Sequence, residues 1–518
     1  MRGGGDREDP AECREPRGPR TPLIPPHILT LDLGTSACKA SLFTLTAEVA
    51  AQATARYPTL HPAPGWAEQD PHAWWDAVLA GVRRLPASLR ATVQAVGLSS
   101  HRGGVVPMDG GGRPLARCII WTDRRSTAEV AALVRAFGRE RLQQVTGLIP
   151  DTEFVASKIL WLRAHAPEVF RAARLYLQPR DYLHLRLTGA AATDYTLASR
   201  TMLLDLSRRD WWEEGCAFVG VSRSLFPSIY PSAAAPFGTG REAADALGIP
   251  YRTPVALGGG HRPCEVLGSG ASSGWVTAAT GTTTNVSAAL TGRPAAIDHR
   301  VICSLHVVDG MSVLEQPMSA SGAILRWMRD RLLAGLDYPA IDALAASVPP
   351  GAGHLLFLPF MGGARATRWN PEACGVWFGL TEAHGTGALA RSVMEGVAFE
   401  LRACLEVLAA MGLPPAGVVS VGGGARSALW NQIYADVLER DVRVPRHTGA
   451  ASLGAMLLAA AAIGRLTDLT QAASAANPVA AGFHPRPAEA ARYRALYRDY
   501  NALYEALRPT FTDLAAHD

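Results

Sequence analysis

Residues 27–43 read HILTLDLGTSACKASLF, and this stretch decides the fold. The apolar residues Ile28, Leu29 and Leu31 precede the polar segment 32–36, and apolar residues resume after it. A buried strand, a tight polar turn and a second strand are expected from this pattern. The stretch therefore predicts a β-hairpin with a polar tip.

A second unit of the same kind begins near Gly274. Residues 275–279 (WVTAA) run into the polar segment 280–285 (TGTTTN), and apolar residues resume at Val286. Two hairpins with Gly-Thr tips, far apart in one chain, suggest two related lobes that face one ligand.

Apolar residues recur at helical spacing through much of the remaining chain. These segments are 71–85, 127–137, 156–163, 323–333, 387–408, 427–438 and 452–463. Because such helices alternate with strands, the predicted class is α/β. A chain of 518 residues is too long for one ordinary core. We therefore predict an N-terminal lobe over residues 28–257 and a C-terminal lobe over residues 258–518.

The composition argues against several other classes of protein. A formal net charge of +4 without long Lys/Arg runs gives no reason to expect nucleic-acid binding. Eight cysteines without a C-x-x-C pair argue against a zinc site or a disulfide framework and favour a reducing cytoplasm. Residues 1–27 lack the apolar segment of a secretory signal and are interpreted as a disordered tail.

The longest apolar run, residues 453–463, is too short for a membrane span and predicts a buried helix instead. We therefore expect a cytoplasmic protein without a membrane or nucleic-acid partner. Assembly into a homo-oligomer stays open.

Short motifs in a fixed order carry more specific information. In the first half they are DLGTS with Lys39 (32–39), GWAEQDP with WW (65–75), WTDRR (121–125), DYL with LTG (181–189) and TDY with ASR (193–200). In the second half they are FLPF (357–360), G with FGL (375–380), EGVAF (395–399) and GGGARS with WNQ (422–432). Together they resemble the FGGY family of carbohydrate kinases over nearly the whole chain from residue 28.

The resemblance implies two actin-like (ribonuclease H-like) lobes with a central cleft for nucleotide and substrate. It also implies transfer of the γ-phosphate of ATP, with Mg²⁺, to a hydroxyl of a small sugar or polyol. Such a transfer requires positioning, charge neutralisation around the phosphates and a base for the hydroxyl proton. The alternative function is a catalytically weak pseudokinase that binds nucleotide and sugar as a regulatory or sensing protein.

The resemblance assigns the nucleotide to several turns. Asp32 would hold Mg²⁺. The expected ATP-binding residues are Gly34, Thr35, Ser36, Lys39, Gly281, Thr282, Thr283, Gly422, Gly423, Gly424, Ala425 and Asn431. Gly34 is expected to adopt a positive φ, which brings backbone N–H groups close to phosphate oxygens. The alternative for the first hairpin is a plain β-turn in which Asp32 and Thr35 bond their own backbone.

The resemblance places the acceptor near Arg102, Trp121 and Asp123. Arg102 lies where glycerol kinases carry a substrate-binding arginine, but Gly103 follows it in place of glutamate. The Met-His pair typical of xylulose kinases is also absent from the sequence. Trp121 can stack on the C–H faces of a polyol, with core packing as the alternative, and Asp123 can accept hydroxyl hydrogens. The acceptor therefore stays open between pentulose-like and glycerol-like molecules.

The chain departs from the family at the position of the general base. The family carries an aspartate after a glycine-rich strand end, whereas residues 258–265 here read GGGHRPCE. His261, at the aspartate's place, can act as the base because an imidazole with a pKa of ~6.5 accepts a proton near neutral pH. Arg262 is expected to lower that pKa.

Two alternatives compete with a histidine base. Glu265 or an acidic residue of the other lobe could take the proton, or the chain could bind its ligands and transfer phosphate poorly. A smaller departure is Gly449, where many relatives carry glutamate.

Overall fold

The computed structural model describes residues 25–271, 273–333 and 335–516. Strands occur in both halves of the chain. In the first half they are β1 (His27–Leu33), β2 (Ala37–Thr44), β3 (Val49–Arg56), β4 (Glu68–Gln69), β5 (Val93–Ser100), β6 (Val106–Met108), β7 (Cys118–Ile119), β8 (Leu175–Leu177), β9 (Ala192–Asp194), β10 (Leu204–Asp205), β11 (Asp210–Trp211), β12 (Ser228–Tyr230), β13 (Phe237–Gly238) and β14 (Pro254–Gly260). In the second half they are β15 (Trp275–Thr280), β16 (Thr283–Thr291), β17 (Ile302–Leu305), β18 (Met311–Ala320), β19 (Leu356–Leu358), β20 (Val376–Phe378), β21 (Gly417–Gly422), β22 (Asp441–Pro445) and β23 (Val479–Phe483).

Helices alternate with these strands. They are α1 (Pro71–Arg83), α2 (Ala87–Arg90), α3 (Thr127–Phe137), α4 (Arg139–Thr146), α5 (Val155–His165), α6 (Pro167–Ala172), α7 (Pro179–Thr188), α8 (Tyr195–Ala198), α9 (Glu213–Val219), α10 (Arg241–Leu247), α11 (His261–Gly268), α12 (Gly322–Arg331), α13 (Tyr338–Ala346), α14 (Thr386–Ala410), α15 (Ala428–Leu438), α16 (Ala450–Ala462), α17 (Leu469–Ala476) and α18 (Pro487–Ala515). Short 3₁₀ turns lie at Ser199–Thr201, Arg223–Leu225, Ala352–His354 and Gly424–Arg426.

The first sheet has the strand order β13-β14-β5-β1-β2-β3. Strands β1 and β2 form the antiparallel hairpin predicted for residues 27–43, with Asp32 opposite Lys39. Strand β1 runs parallel to β5, and β5 runs parallel to β14. All of β1 is buried, which explains its nearly continuous apolar sequence. The carboxyl ends of the three parallel strands lie side by side, where open α/β sheets bind their ligands.

The second sheet has the order β17-β18-β16-β15-β21-β22-β23. Strands β15 and β16 form the second predicted hairpin. Strand β15 runs parallel to β21, and β21 runs parallel to β22. The hairpin followed by parallel strands thus occurs once in each half, and the predicted α/β class is confirmed.

Helix α16 joins the two halves. It holds the apolar run predicted to form a buried helix, and it is buried from Ala450 to Ala460. It packs on α11 and against β1 and β5 of the first sheet. Glycines allow this close approach, since a Cβ at Gly454 would lie 2.0 Å from the carbonyl oxygen of Cys264. No helix among the described residues is both long and apolar enough to cross a bilayer.

The division into lobes of residues 28–257 and 258–518 stays a prediction. The predicted boundary between residues 257 and 258 falls inside β14, which belongs to the first sheet. Helix α11 follows, and the second sheet begins with β15. At the other end, His27 of the predicted tail is the first residue of β1, and residues 1–24 of that tail lie outside the described residues.

Candidate active site

Three parallel strands bring Asp32, Arg102 and His261 together. Asp32 lies near the end of β1, opposite Ser99 of β5. Arg102 follows the end of β5, and His261 begins α11 directly after β14. The side chain of Arg102 lies against the strand end of β14, since a Cβ at Gly260 would be 2.1 Å from its Cδ. The predicted metal, acceptor and base residues therefore share one site.

His261 and Asp32 form a hydrogen-bonded pair. The Nδ1 of His261 lies 3.0 Å from Oδ1 of Asp32. The side chain of His261 is 33% exposed, whereas that of Asp32 is buried. Burial lowers the pKa of His261, but the charge and hydrogen bond of Asp32, with the charge of Glu265, raise it above its usual value. Arg262 lowers the pKa of His261, as expected, but the effect of Asp32 is larger and the net shift is upward.

Asp32 stays ionised in this pair. Burial raises the pKa of Asp32, but the charge and hydrogen bond of His261 and the charge of Lys39 lower it to about 2. The alternative base, Glu265, has another partner, since Nη1 of Arg262 lies 2.6 Å from its Oε2. His261 uses Nδ1 to contact Asp32, so its Nε2 is not engaged by that carboxylate. The carboxylate of Glu265, by contrast, is already paired with Arg262 of the same helix.

The first hairpin closes through its own backbone. The N–H of Gly34 donates to the carbonyl oxygen of Ala37 at 2.9 Å. Gly34 does not adopt a positive φ, so the expected left-handed glycine is wrong, and the bond to Ala37 is what closes the turn. Ser36 is exposed at the tip and Lys39 is half-buried on β2. Both side chains are therefore at least partly accessible to solvent.

Thr35 is fixed by residues from outside the turn. Its carbonyl oxygen accepts a hydrogen bond from Nε2 of Gln69 at 2.6 Å. Its hydroxyl accepts a hydrogen bond from Nε1 of Trp121 at 3.1 Å. Thr35 and Asp32 thus bond other parts of the lobe, unlike the plain β-turn in which they bond their own backbone. The half-buried Trp121 ties the predicted acceptor region to the phosphate turn.

Lys39 lies next to the second lobe. A Cβ at Gly449 would be 3.3 Å from Nζ of Lys39. The preceding residue, Thr448, accepts a hydrogen bond from the N–H of Gly422 at 3.1 Å. Lys39 therefore extends from the first hairpin towards the glycine-rich turn of the second lobe. Glycine at 449 leaves space beside its ammonium group.

The turns of the second lobe line a cavity of about 450 Å³. Its lining includes the small residues Thr280, Gly281, Thr282, Gly423 and Gly424, an apolar wall of Leu325, Tyr338, Pro339 and Trp430, and the charged residues Arg326, Asp342 and Arg426. Thr283 and Gly422 belong to the strands that adjoin these turns. Gly422 has a φ of 82°, and a Cβ there would lie 2.7 Å from the carbonyl oxygen of Thr280. Only glycine fits at this close approach.

Asn431 stabilises the glycine-rich turn through side-chain hydrogen bonds to its backbone. Its Nδ2 donates to the carbonyl oxygens of Ala425 and Ser427, each at 2.8 Å. Asn431 and Ala425 are both buried, and neither lines the cavity. Of the residues predicted to bind ATP, these two therefore shape the turn instead of facing the cavity.

The predicted acceptor residues have partners within the protein. Arg102 donates two hydrogen bonds to Glu315 of β18, at 3.0 and 2.6 Å. Asp123 is fully buried, and its carboxylate accepts from the N–H of Ala67 at 2.6 Å and from Nη2 of Arg125 at 2.8 Å. These bonds end on Oδ2, and Oδ1 accepts from the N–H and the Nε of Arg125 at 2.9 and 3.0 Å, so both oxygens are used. The structure therefore favours a loop-holding role for Asp123 over the predicted contact with a sugar.

Both halves of the sequence match models of a known protein family. The N-terminal domain model of the FGGY family of carbohydrate kinases matches residues 27–268, and the C-terminal domain model matches residues 276–463. The chain belongs to the FGGY family of carbohydrate kinases. It is an ATP-dependent kinase that phosphorylates a hydroxyl of a small carbohydrate.

The similarity extends over nearly the full length of known FGGY kinases. The xylulose kinase of Escherichia coli (strain K12) is 33% identical over 488 residues, which cover 92% of this chain and 99% of that relative. The glycerol kinase of Gloeobacter violaceus is 34% identical over 461 residues, covering 87% and 91% respectively. The structure of gluconate kinase from Lactobacillus acidophilus superposes with a TM-score of 0.88 at 26% identity, covering 94% of this chain and 99% of that one. The two-lobed actin-like fold is therefore confirmed.

Sequence reasoning missed the residues that support this FGGY site. Thr196 accepts a hydrogen bond from the N–H of Gly260, directly before His261, at 2.8 Å. Asp194 accepts from the hydroxyl of Thr196 at 2.7 Å and from Arg180 at 2.8 Å. The TDY motif (193–195) contributed to the family resemblance, but nothing in it indicates a contact with the strand end of β14.

A second group of missed residues surrounds Arg102. Glu153, Arg200, Glu315 and Arg365 form ion pairs beside it and come from both lobes. Arg200 lies within the quoted ASR motif, whereas the other three have no sequence signal of their own. Only the fold brings their charges together.

Proposed function

We propose that this kinase transfers the γ-phosphate of ATP·Mg²⁺ to a hydroxyl of a small sugar or polyol with His261 as the general base. The observation that carries this proposal is the 3.0 Å contact between Nδ1 of His261 and Oδ1 of Asp32. When Nδ1–H donates to the carboxylate, Nε2 carries the lone pair that can accept a proton. A hydrogen-bonded carboxylate that orients a histidine base is a recurring arrangement in enzymes.

The proton then has a defined path. As the acceptor oxygen attacks the γ-phosphorus, its proton passes to Nε2 of His261 and ADP leaves. The resulting imidazolium is stabilised by ionised Asp32, which it already contacts. Asp32 also raises the pKa of His261, after burial has lowered it, so the imidazole is a stronger base than it would be alone. His261, supported by Asp32, thus stands in place of the aspartate that follows the glycine-rich strand end in the family pattern.

The nucleotide fits between the two lobes. The apolar wall of the 450 Å³ cavity, with Leu325, Tyr338 and Trp430, suits the adenosine end of ATP. The backbone of the glycine turns suits the phosphates. Thr35, Ser36 and Lys39 would approach the terminal phosphates from the first lobe, because Lys39 already extends towards Gly449 of the second.

Mg²⁺ would enter with ATP and be held by Asp32. Mg²⁺ is usually bound by one or two carboxylates together with phosphate oxygens and water, so a single ionised carboxylate is a suitable protein ligand. When bound, the metal neutralises charge on the phosphates. Asp32 would then serve two functions, as metal ligand and as partner of His261.

The test is a coupled ADP-release assay over ketoses, aldoses, polyols and sugar acids, with ATP binding measured separately by calorimetry. Native protein should turn over at least one acceptor. His261→Ala should lower kcat by roughly 10²- to 10⁴-fold while ATP binding persists. Glu265→Gln is the matched control, and its kcat should stay within a few fold of native.

Two outcomes would contradict a histidine base. If Glu265→Gln and not His261→Ala abolished turnover, Glu265 would be the base. If native protein bound ATP but turned over no acceptor, and His261→Asp gained activity, the chain would be a binding or sensing protein in its native form.

A further inference from the structure

Among the described residues that line the cavity of about 450 Å³ in the second lobe, Asp342 carries the one carboxylate. Asp342 lies on α13, one helical turn after Tyr338, so these two side chains share a face of the helix. Both line the cavity, together with Pro339. An adjacent face of α13, with Ile341 and Ala345, is buried. Helix α13 therefore directs Asp342 towards the cavity.

The half-buried carboxylate of Asp342 has no charged partner among the described residues. Burial raises its pKa, and the neighbouring hydroxyl of Ser427 opposes the rise. Arg326 and Arg426 line the same cavity, but both are exposed and neither contributes to the shift. A carboxylate withdrawn from water without a cation is stabilised by a ligand that donates hydrogen bonds to it.

The surroundings of Asp342 assign it to the base of the nucleotide. Tyr338 and Pro339, on the same face of α13, belong to the apolar wall that suits the adenosine end of ATP. A triphosphate would be repelled by the ionised carboxylate. At the second hairpin, by contrast, Nη2 of Arg326 lies 3.4 Å from the hydroxyl oxygen of Thr282. The phosphates are therefore assigned to the hairpin, and the base to Asp342.

Adenine offers a carboxylate one kind of partner. The ring nitrogens N1, N3 and N7 of the base carry lone pairs and repel an ionised carboxylate, whereas the exocyclic 6-amino group donates hydrogen bonds. An ionised aspartate only accepts hydrogen bonds. Because a hydrogen bond to a charged group is stronger than one between neutral groups, this contact can discriminate between bases.

We propose that Asp342 selects the base of the phosphoryl donor by accepting a hydrogen bond from the 6-amino group of adenine. This inference rests on the proposed function, which assigns the nucleotide to this cavity, and it specifies the residue that recognises the base. Asp342 takes no part in proton transfer or phosphoryl transfer. It is a specificity-determining residue for the nucleotide.

A nucleotide analogue tests the proposal on the full-length native protein. Purine riboside triphosphate differs from ATP only by a hydrogen in place of the 6-amino group. With Mg²⁺ and without an acceptor, calorimetry should show ATP binding roughly 10- to 100-fold more tightly than this analogue. The ratio of kcat/KM for the two nucleotides, measured from the phosphorylated product, should show the same preference.

Asp342→Ala should bring this ratio of affinities to near unity, because the acceptor of the amino group is lost. Asp337→Asn is the matched control. Asp337 accepts from the N–H of Ala340 at 2.9 Å at the start of the same helix, and it does not line the cavity. Its substitution removes the same charge and should keep the native ratio. Each ratio compares two ligands on one protein, so a loss of folded protein cannot change it.

Asp342→Asn should relax the choice of base. The amide of asparagine donates as well as accepts hydrogen bonds, so it can bind the 6-oxo group of ITP, which the native carboxylate repels. The affinity for ITP relative to that for ATP should therefore rise by roughly 10-fold. Misfolding cannot produce such a gain.

Several results would overturn the proposal. Equal binding of ATP and purine riboside triphosphate by the native protein would reject recognition of the 6-amino group while leaving the kinase function intact. A preference that Asp342→Ala preserves, or that Asp337→Asn also abolishes, would reject Asp342 as its source, as would a fall in the relative affinity for ITP in Asp342→Asn. A preference for ATP that depends on Asp342, without turnover of any acceptor, would support the base site and reject the proposed function.

Discussion

The two hairpins have the same strand pairing but different chemistry at their tips. In the first lobe, the strand ends beside β1 carry the charged residues Asp32, Arg102 and His261. In the second lobe, the strand ends beside β15 carry glycine turns, which line a cavity together with apolar side chains such as Leu325 and charged ones such as Arg326. The proposed function thus assigns proton transfer to the first lobe and nucleotide binding to the second.

In each lobe, one buried polar side chain supports a strand end or turn next to the hairpin, and the two side chains differ in charge. Asp194 supports the strand end before His261 through Thr196, and it is paired with the fully buried Arg180. Asn431 supports the glycine turn through two backbone carbonyl oxygens. The first lobe therefore depends on a buried charge network, and the second on neutral hydrogen bonds.

The largest expected effect comes from the charged support. Asp194→Ala removes the acceptor of Thr196, Ser232 and Arg180, and should lower the free energy of unfolding by about 3 kcal/mol. A larger loss is not expected, because Asp181 remains 3.0 Å from Arg180. Asn431→Ala, which loses two hydrogen bonds, should cost about 2 kcal/mol. Urea unfolding of both variants measures the difference, and equal losses would contradict the contrast between the supports.

The sequence predicted what depends on local pattern. Both hairpins and the helices such as α3 were found, because strand and helix periodicity is visible within short windows. The pair of His261 and Asp32 is separated by 229 residues, and that of Arg102 and Glu315 by 213. Those contacts require the order β14-β5-β1 and the approach of β18 across the cleft, which no local pattern encodes. The rise in the pKa of His261 was missed for that reason.

The next largest effect is expected from the backbone conformation of the glycine in each turn, Gly422 in the second lobe and Gly34 in the first. Gly422→Ala places a Cβ at a φ of 82° and 2.7 Å from a carbonyl oxygen, which should cost about 1–3 kcal/mol. Because the proposed function assigns the nucleotide to this turn, the KM for ATP should rise as well. Gly34→Ala is the matched variant, since its Cβ would lie 3.3 Å from the carbonyl oxygen of Ala37 without a positive φ. A weaker effect at Gly422 than at Gly34 would reject this contrast.

The smallest expected effect is a shift in the pH dependence of the first lobe. With His261 as the proposed base, turnover requires a neutral imidazole, so kcat/KM should rise with pH through the pKa of His261 in the free enzyme, which lies above the usual histidine value. Asp32→Asn removes the largest attraction that raises this pKa and leaves burial and Arg262, which lower it, opposed by Glu265 alone. The midpoint of the pH profile should therefore fall by about 1 pH unit. Weaker Mg²⁺ binding would change the plateau of the profile but not this midpoint.

Arg262→Gln should move the midpoint in the opposite direction, because Arg262 lowers the pKa of His261 and its loss also leaves Glu265 unpaired. Asp32→Asn and Arg262→Gln profiles that shift the same way would show that another group controls the pH dependence.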